Sequence, residues 1–277
     1  MHHFSFDGPF NLDLTVSCGQ AFRWRKNSHG WSAPFSSGLW QVRQKDTVIY
    51  YDGCSEDELV AYFALDLDLD DILASIDVDP LIHEAVISCR GLRICRQPPF
   101  ECLISYLCAS CSNIPMITKR IELLSERFGK KIADGVYAFP TAKTLAKADT
   151  LEIRNCKTGY RDAYIANTAS FVVAHPAWLK SLHDASYDDA KTLLMERKGI
   201  GDKVADCVLL FGCETYEAVP VDVWIERILR TQYFPDRETK LPYKTASSFA
   251  RKHFGDYAGY AQEYLYAQRE LITKRGQ

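Results

Sequence analysis

Apolar and polar positions change their period once along this chain. Up to about residue 54 they sit in short alternating runs. Phe22-Arg23-Trp24-Arg25 alternates aromatic with basic, Leu39-Trp40-Gln41-Val42 follows a Ser-Ser-Gly turn, and Thr47 to Tyr51 is β-branched and aromatic. Such runs predict short strands joined by turns. From Ser55 the spacing turns helical: Leu59, Tyr62 and Phe63 share a face, and Ser55 with Glu58 makes a capping-box pair. Beyond residue 80 the pattern predicts helices near 80–90, 99–112, 115–128, 141–148, 160–174, 187–196, 202–213, 222–232, 243–254 and 257–272, separated by Gly, Pro and Asn-rich breaks. The expected fold class is α+β. An N-terminal α+β domain built on an antiparallel β-sheet covers 1–90 and a mostly helical domain covers 91–277, with a helix-hairpin-helix at about 190–213.

Composition narrows the class. The chain has 277 residues, 47% hydrophobic and 25% charged, the values of a globular protein. No apolar run approaches the ~18 residues of a membrane span, and residues 1–10 show no signal or transit pattern. A cytoplasmic, nucleoid or nuclear address is expected, with no membrane partner. The net charge of −3 averages two unlike parts: residues 55–79 hold nine acids and no base, while residues 80–277 hold 28 bases against 23 acids. The second part permits a polyanionic partner. Of ten cysteines, Cys108 and Cys111 form the single CxxC, without the second ligand pair that zinc needs. No metal site is expected, and the thiols read as small apolar residues.

The segment Leu193 to Arg230 carries the chemistry. A helix ending near Arg197 is followed by Lys198-Gly199-Ile200-Gly201 and a second helix from Asp202. Two glycines supply the backbone angles of a tight hairpin, Ile200 can plug it into the core, and bare N–H groups at the helix start can hold a phosphate. Lys203 falls in the first turn, where the helix dipole favours a free amine, the form a nucleophile needs. Asp222 follows Ala218-Val219-Pro220-Val221 and stands where a helix starts, placed to serve as cap and as catalyst.

Gly199-Ile200-Gly201-Asp202-Lys203-Val204-Ala205-Asp206-Cys207 with Val219-Pro220-Val221-Asp222-Val223 resembles the helix-hairpin-helix and Gly/Pro/Asp signature of the DNA glycosylases, in particular the eukaryotic-type 8-oxoguanine DNA glycosylase/AP lyase branch. Ser17 to Arg25, Tyr62 to Asp66, Arg96-Gln97-Pro98 with Glu101-Cys102, Gly159-Tyr160-Arg161 and Tyr257 to Gln262 match the same branch in order. The resemblance implies an enzyme that flips a damaged base from duplex DNA into a pocket. It implies attack by Lys203 at the sugar C1′, with Asp222 stabilising the developing positive charge, and strand scission from the resulting Schiff base. No cofactor is implied. The partner is double-stranded DNA containing 8-oxoguanine, met by a monomer. Gly19 would meet the N7 hydrogen that 8-oxoguanine has and guanine lacks. Gln262 would bond the Watson–Crick edge. Cys207 and Tyr266, the latter a Phe in most of the family, would sandwich the ring. Tyr160 would wedge into the vacated stack and Arg161 would hold the orphaned cytosine, with Gly199 and Gly201 contacting DNA at the hairpin.

Departures from the family pattern bear on the opposite base. Cys111 stands where an Asn often fills the vacated stack, and Met116 where an Arg often reads cytosine. Neither side chain makes those hydrogen bonds, so a relaxed preference is expected. Trp224 stands where a phosphate-contacting His is common, and Lys198 where a Pro is. The last cysteine is Cys213, so the C-terminal iron–sulfur cluster of the adenine and thymine-glycol branches is not expected. Two other readings stay open: a glycosylase of the same superfamily for another damaged base, and a non-catalytic DNA-binding module. The latter needs the glycines but not Lys203 and Asp222 together.

Overall fold

The structure is a computed structural model and describes residues 1–275. Strands β1 (His2–Ser5), β2 (Arg25–Asn27), β3 (Gly30–Pro34), β4 (Leu39–Lys45) and β5 (Val48–Asp52) form one antiparallel sheet in the order β1-β5-β4-β3-β2. Val42 faces Tyr51 and Gln44 faces Ile49 across the β4–β5 pair. Period-two alternation buries Trp40 and Val42 and leaves Arg43 in solvent. Helices α1 (Leu12–Ser17) and α2 (Glu56–Tyr62) accompany the sheet. Trp24, Trp40, Val42, Ile49, Leu59 and Phe63 fill its core. Ser55 and Glu58 make the expected capping box.

Two sequence expectations change here. Phe22-Arg23-Trp24-Arg25 is not a strand, and only Arg25 enters β2. Its alternation has another cause: Phe22 packs into the helical core and Trp24 into the sheet core, so the segment crosses between two cores. Helix α1 replaces an expected extended segment. Asn11 caps it by accepting the Leu14 N–H at 3.0 Å.

The remainder is helical: α3 (Leu69–Ile76), α4 (Pro80–Ser88), α5 (Pro99–Ala109), α6 (Ile114–Phe128), α7 (Ala142–Lys147), α8 (Thr150–Ile153), α9 (Asp162–Ala174), α10 (Trp178–Asp184), α11 (Tyr187–Met195), α12 (Asp202–Gly212), α13 (Val223–Tyr233), α14 (Tyr243–Phe254), α15 (Ala258–Ala267) and α16 (Arg269–Arg275). A small hairpin, β6 (Lys131–Ala133) and β7 (Val136–Tyr137), follows α6. The single helix expected over 257–272 is broken at Gln268, whose side chain turns to the Cys89 sulfur at 3.0 Å. Helices α5 and α12 are buried along most of their length and meet through small residues: a Cβ on Gly212 would lie 3.1 Å from Cys102 Cβ. The Tyr106 and Phe211 rings stack between them, 5.6 Å apart. The sheet core runs to Leu65 and the helical core takes over from Leu69, but Cys18 and Phe22 belong to the helical core and Cys95 to the sheet core. The exchange ties the segment around Gly19 to the helices.

Candidate active site

The hairpin joins α11 to α12. Gly199 has φ +92°, and a Cβ there would lie 2.5 Å from a Tyr164 ring carbon, so both backbone and neighbour require glycine. Gly201 differs from expectation. Its φ of −102° is ordinary extended backbone, with open space where a Cβ would go. Its use is to leave the start of α12 without a side-chain cap, so that the first N–H groups are available to an anion. Ile200 is buried and plugs the turn. Lys203 is exposed in the first turn of α12, and Cys207 lies one turn on along the same face, fully covered.

Asp222 caps α13, and its Oδ1 accepts the Trp224 and Ile225 N–H groups, each at 2.9 Å. The residue before it is anchored to α12. The Val221 N–H donates to Tyr243 Oη at 3.3 Å, and that hydroxyl donates to Asp206 Oδ2 at 2.6 Å. Asp206 also accepts from Tyr187 Oη at 2.8 Å and Lys191 Nζ at 3.0 Å. Burial pushes the Asp206 carboxyl up, and the Lys191 charge opposes it.

Lys203 and Asp222 line one cavity of about 450 Å³, together with Gly19, Cys207, Gln262 and Tyr266. Trp224 lines it as well. Gly19 has φ +103° and sits against Tyr266, whose ring carbon is 3.7 Å from where a Cβ would lie. Gln20 holds that turn in place. Its Nε2 donates to the Thr15 and Arg93 carbonyls at 2.9 and 2.8 Å, and its Oε1 accepts the Cys95 N–H at 2.7 Å. Burial pushes the Cys207 thiol up, and the Lys203 charge only partly offsets this, so Cys207 presents a neutral sulfur. Gln262 Oε1 is buried with no hydrogen-bond partner among the described residues. The Arg269 guanidinium lies 4.2 Å from the centre of the Tyr266 ring, and burial pushes the Tyr266 hydroxyl up to about 12.

Sequence reasoning missed three groups here. Arg269 braces Tyr266, Tyr106 and Phe211 form the cavity's inner wall, and Glu263 is a buried acid lining the cavity. The signal for Glu263 was present: it is the acid in the otherwise uncharged run Ala258 to Ala267.

The other candidate residues form a separate cluster. Cys111 is exposed with φ +48°, while Met116 and Tyr160 are exposed. Arg161 is buried. Its guanidinium donates to the carbonyls of Ser110 and Thr158 and lies 4.3 Å from the Tyr160 ring centre. Its Nε has no partner among the described residues. Arg120, which sequence reasoning missed, donates to the Lys157 and Cys108 carbonyls at 2.9 and 2.8 Å, tying α5 to the segment before Tyr160. None of Cys111, Met116, Tyr160 and Arg161 lines the cavity, whereas Ser112 to Pro115 does. The cluster therefore adjoins the cavity rim.

A hairpin-borne lysine and a helix-capping aspartate lining one cavity, with a sheet packed beside the helical body, point to the class of helix-hairpin-helix DNA glycosylases. Comparison with known proteins narrows this. Residues 6–103 match the family profile described as 8-oxoguanine DNA glycosylase, N-terminal domain. The N-glycosylase/DNA lyase OGG1 of Arabidopsis thaliana is 33% identical, over 96% of this chain and 80% of its own. The N-glycosylase/DNA lyase of Saccharomyces cerevisiae is 34% identical, over 76% of this chain and 65% of its own length. The Clostridium acetobutylicum 8-oxoguanine glycosylase/lyase, solved with double-stranded DNA containing cytosine opposite 8-oxoG, superimposes with a TM-score of 0.88 at 29% identity, over 98% of each chain. The chain belongs to the 8-oxoguanine DNA glycosylase family, and is a bifunctional DNA glycosylase and DNA lyase.

Proposed function

We propose that this protein removes 8-oxoguanine from duplex DNA through a covalent intermediate on Lys203 and then cleaves the strand by β-elimination. One observation carries the reading: a single cavity gathers an amine, a carboxylate, the Gly19 turn and the two flanking residues Cys207 and Tyr266. The base enters after flipping. Lys203 Nζ attacks the sugar C1′ as the bond to the base breaks, and Asp222 stabilises the positive charge that develops on the sugar. The Gly19 carbonyl favours a base that carries hydrogen on N7 and opposes one whose N7 is an acceptor. Gln262 supplies an unpaired carbonyl for the Watson–Crick edge. The uncapped start of α12 takes a backbone phosphate. The protein acts as a monomer, in the nucleoid or nucleus where DNA is. At the opposite strand, Tyr160 fills the vacated stack and Arg161 reads the orphaned base, with Cys111 and Met116 adding no donor, so preference for cytosine is relaxed. Borohydride trapping on a duplex with one 8-oxoguanine tests the chemistry. A covalent complex is expected for the wild type and none for Lys203→Gln, while trapping by the variant would remove the lysine from the mechanism.

A further inference from the structure

Glu263 is a buried acid of the cavity that the chemistry above leaves unused. It is 4% exposed, stands in α15 beside Gln262, and lines the same cavity as Lys203 and Asp222. Its Oε2 accepts from the Cys18 thiol at 3.5 Å, and the Gln262 side chain is a second hydrogen-bond partner of the carboxyl. Cys18 immediately precedes Gly19 in the chain, so this carboxyl sits at the base of the turn that faces the cavity.

The groups around it explain its state. Asp222, ahead of α13, bears on it as a like charge. Helix α12 presents Lys203 and the Cys207 thiol, α5 the Tyr106 hydroxyl, and the end of α1 the Cys18 thiol. On its own helix stand the uncharged Gln262, whose side-chain hydrogen bond favours the charged carboxylate, and Tyr266. The Arg269 guanidinium of α16 is the smallest influence on it, and its own contacts are to the Tyr266 ring and the Tyr266 carbonyl at 2.7 Å. A carboxyl whose donors are a thiol and a neighbouring amide, with no ion-pair partner among the described residues, still favours its neutral form because burial outweighs both bonds. In that form it carries an O–H that can donate.

We propose that Glu263, uncharged, is a hydrogen-bonding contact to the base held in the cavity, donating its proton to a carbonyl oxygen on the base edge. The proposal rests on reading the cavity as the base pocket. 8-Oxoguanine carries two such oxygens, O6 and O8. When Glu263 ionises, the donor is lost and a negative oxygen faces the acceptor on the base, beside the charge of Asp222. Base recognition then weakens. Burial holds the Glu263 carboxyl up to about 7, so the change falls where binding is readily measured. Glu263 is thus a specificity-determining residue that also sets a pH limit on recognition.

The test is binding without turnover. Lys203→Gln protein is titrated with a duplex carrying one 8-oxoguanine, with the undamaged duplex, and with a duplex in which a tetrahydrofuran replaces the damaged nucleotide, from mildly acidic to mildly alkaline pH. Affinity for the 8-oxoguanine duplex is expected to fall about tenfold as pH rises through neutrality. Affinity for the tetrahydrofuran duplex, which offers no base, is expected to be the same with and without Glu263→Gln at each pH. Adding Glu263→Gln is expected to remove the pH-dependent difference between those two duplexes. An equal pH-dependent difference in the doubly substituted protein would overturn the proposal, as would its absence in the Lys203→Gln protein. If Glu263→Gln fails to fold, seen as loss of tetrahydrofuran-duplex binding, Glu263→Ala replaces it with the same expected flat profile. An 8-oxoguanine duplex bound no better than the undamaged one at any pH would overturn the base-pocket reading itself, whereas a preference kept without pH dependence overturns Glu263 alone.

Discussion

Lys203 and Asp222, the proposed catalytic pair, show how little such a pair needs at the residue scale: one stands in the first turn of a helix, the other at the head of another. Asp222→Asn keeps an acceptor for both N–H groups of the cap, so the protein is expected to fold and bind DNA. It loses the charge that meets the developing cation, and single-turnover excision is expected to slow by about two to three powers of ten. An unimpaired rate would remove Asp222 from the chemistry. Glu263 makes a separate prediction about stability. Its carboxyl is raised from 4.5 to about 7 in the folded chain, so the folded state holds that proton more tightly than the unfolded one. The contribution is fully present below about 4.5 and is lost as pH rises through about 7. The loss is about 3 kcal/mol, and thermal melts across that window measure it. Glu263→Gln cannot ionise, so its melting temperature is expected to lack this decline and to exceed that of the wild type above neutrality.

Elements decide whether those residues meet. The hairpin depends on Gly199, where positive φ and the Tyr164 ring exclude any Cβ. Gly199→Ala is expected to cost about 1–3 kcal/mol, read as a lowered denaturation midpoint. Gly201→Ala, on open extended backbone, is expected to cost well under that. Equal losses would show that the hairpin does not depend on the conformation at Gly199. The second dependence is the link from α12 through Asp206 and Tyr243 to Val221. Tyr243→Phe removes one donor to a buried carboxylate and the acceptor for the Val221 N–H. It is expected to destabilise the protein by about 1–2 kcal/mol and to slow excision with DNA affinity unchanged, because Asp222 loses its fixed distance from α12. Excision at the wild-type rate would show that the cap at Asp222 positions itself. Helix positions were largely legible from period and capping residues, since those signals act within one turn. The Phe22 to Arg25 run was not, because alternation records which residues are covered, and two different cores cover them.

At the scale of the whole molecule, the cluster proposed to meet the opposite strand is built from α5, α6 and the turn before α9, outside the cavity. Arg120 and Arg161 are engaged by backbone carbonyls and, for Arg120, the Ser112 hydroxyl, and Arg161 Nε is a buried donor without a partner among the described residues. A good bidentate base contact is worth about 1–3 kcal/mol of discrimination, and Met116 supplies none. Single-turnover excision from four duplexes differing only opposite 8-oxoguanine is expected to show a cytosine preference flatter by roughly one to two powers of ten than that of a family member with two arginines. Met116→Arg is expected to steepen it. An unchanged profile in that variant would place Met116 away from the opposite base.

The amino-acid order alone determined the α+β class, the hairpin around Gly199, and the placing of Lys203 and Asp222 at helix starts, because periodicity, capping and glycine conformation are local. Family resemblance brought Gly19, Gln262 and Tyr266 to the same cavity on paper. Only the tertiary structure decided how they are held: the Gln20 bonds that fix the Gly19 turn, the Tyr243–Asp206 link behind Asp222, and Arg269 bracing Tyr266. Glu263 shows the division most clearly. Its identity is visible in the chain, but its burial beside Cys18, 245 residues away, arises from packing between α1 and α15. A carboxyl's charge depends on what surrounds it in space, which local pattern does not record.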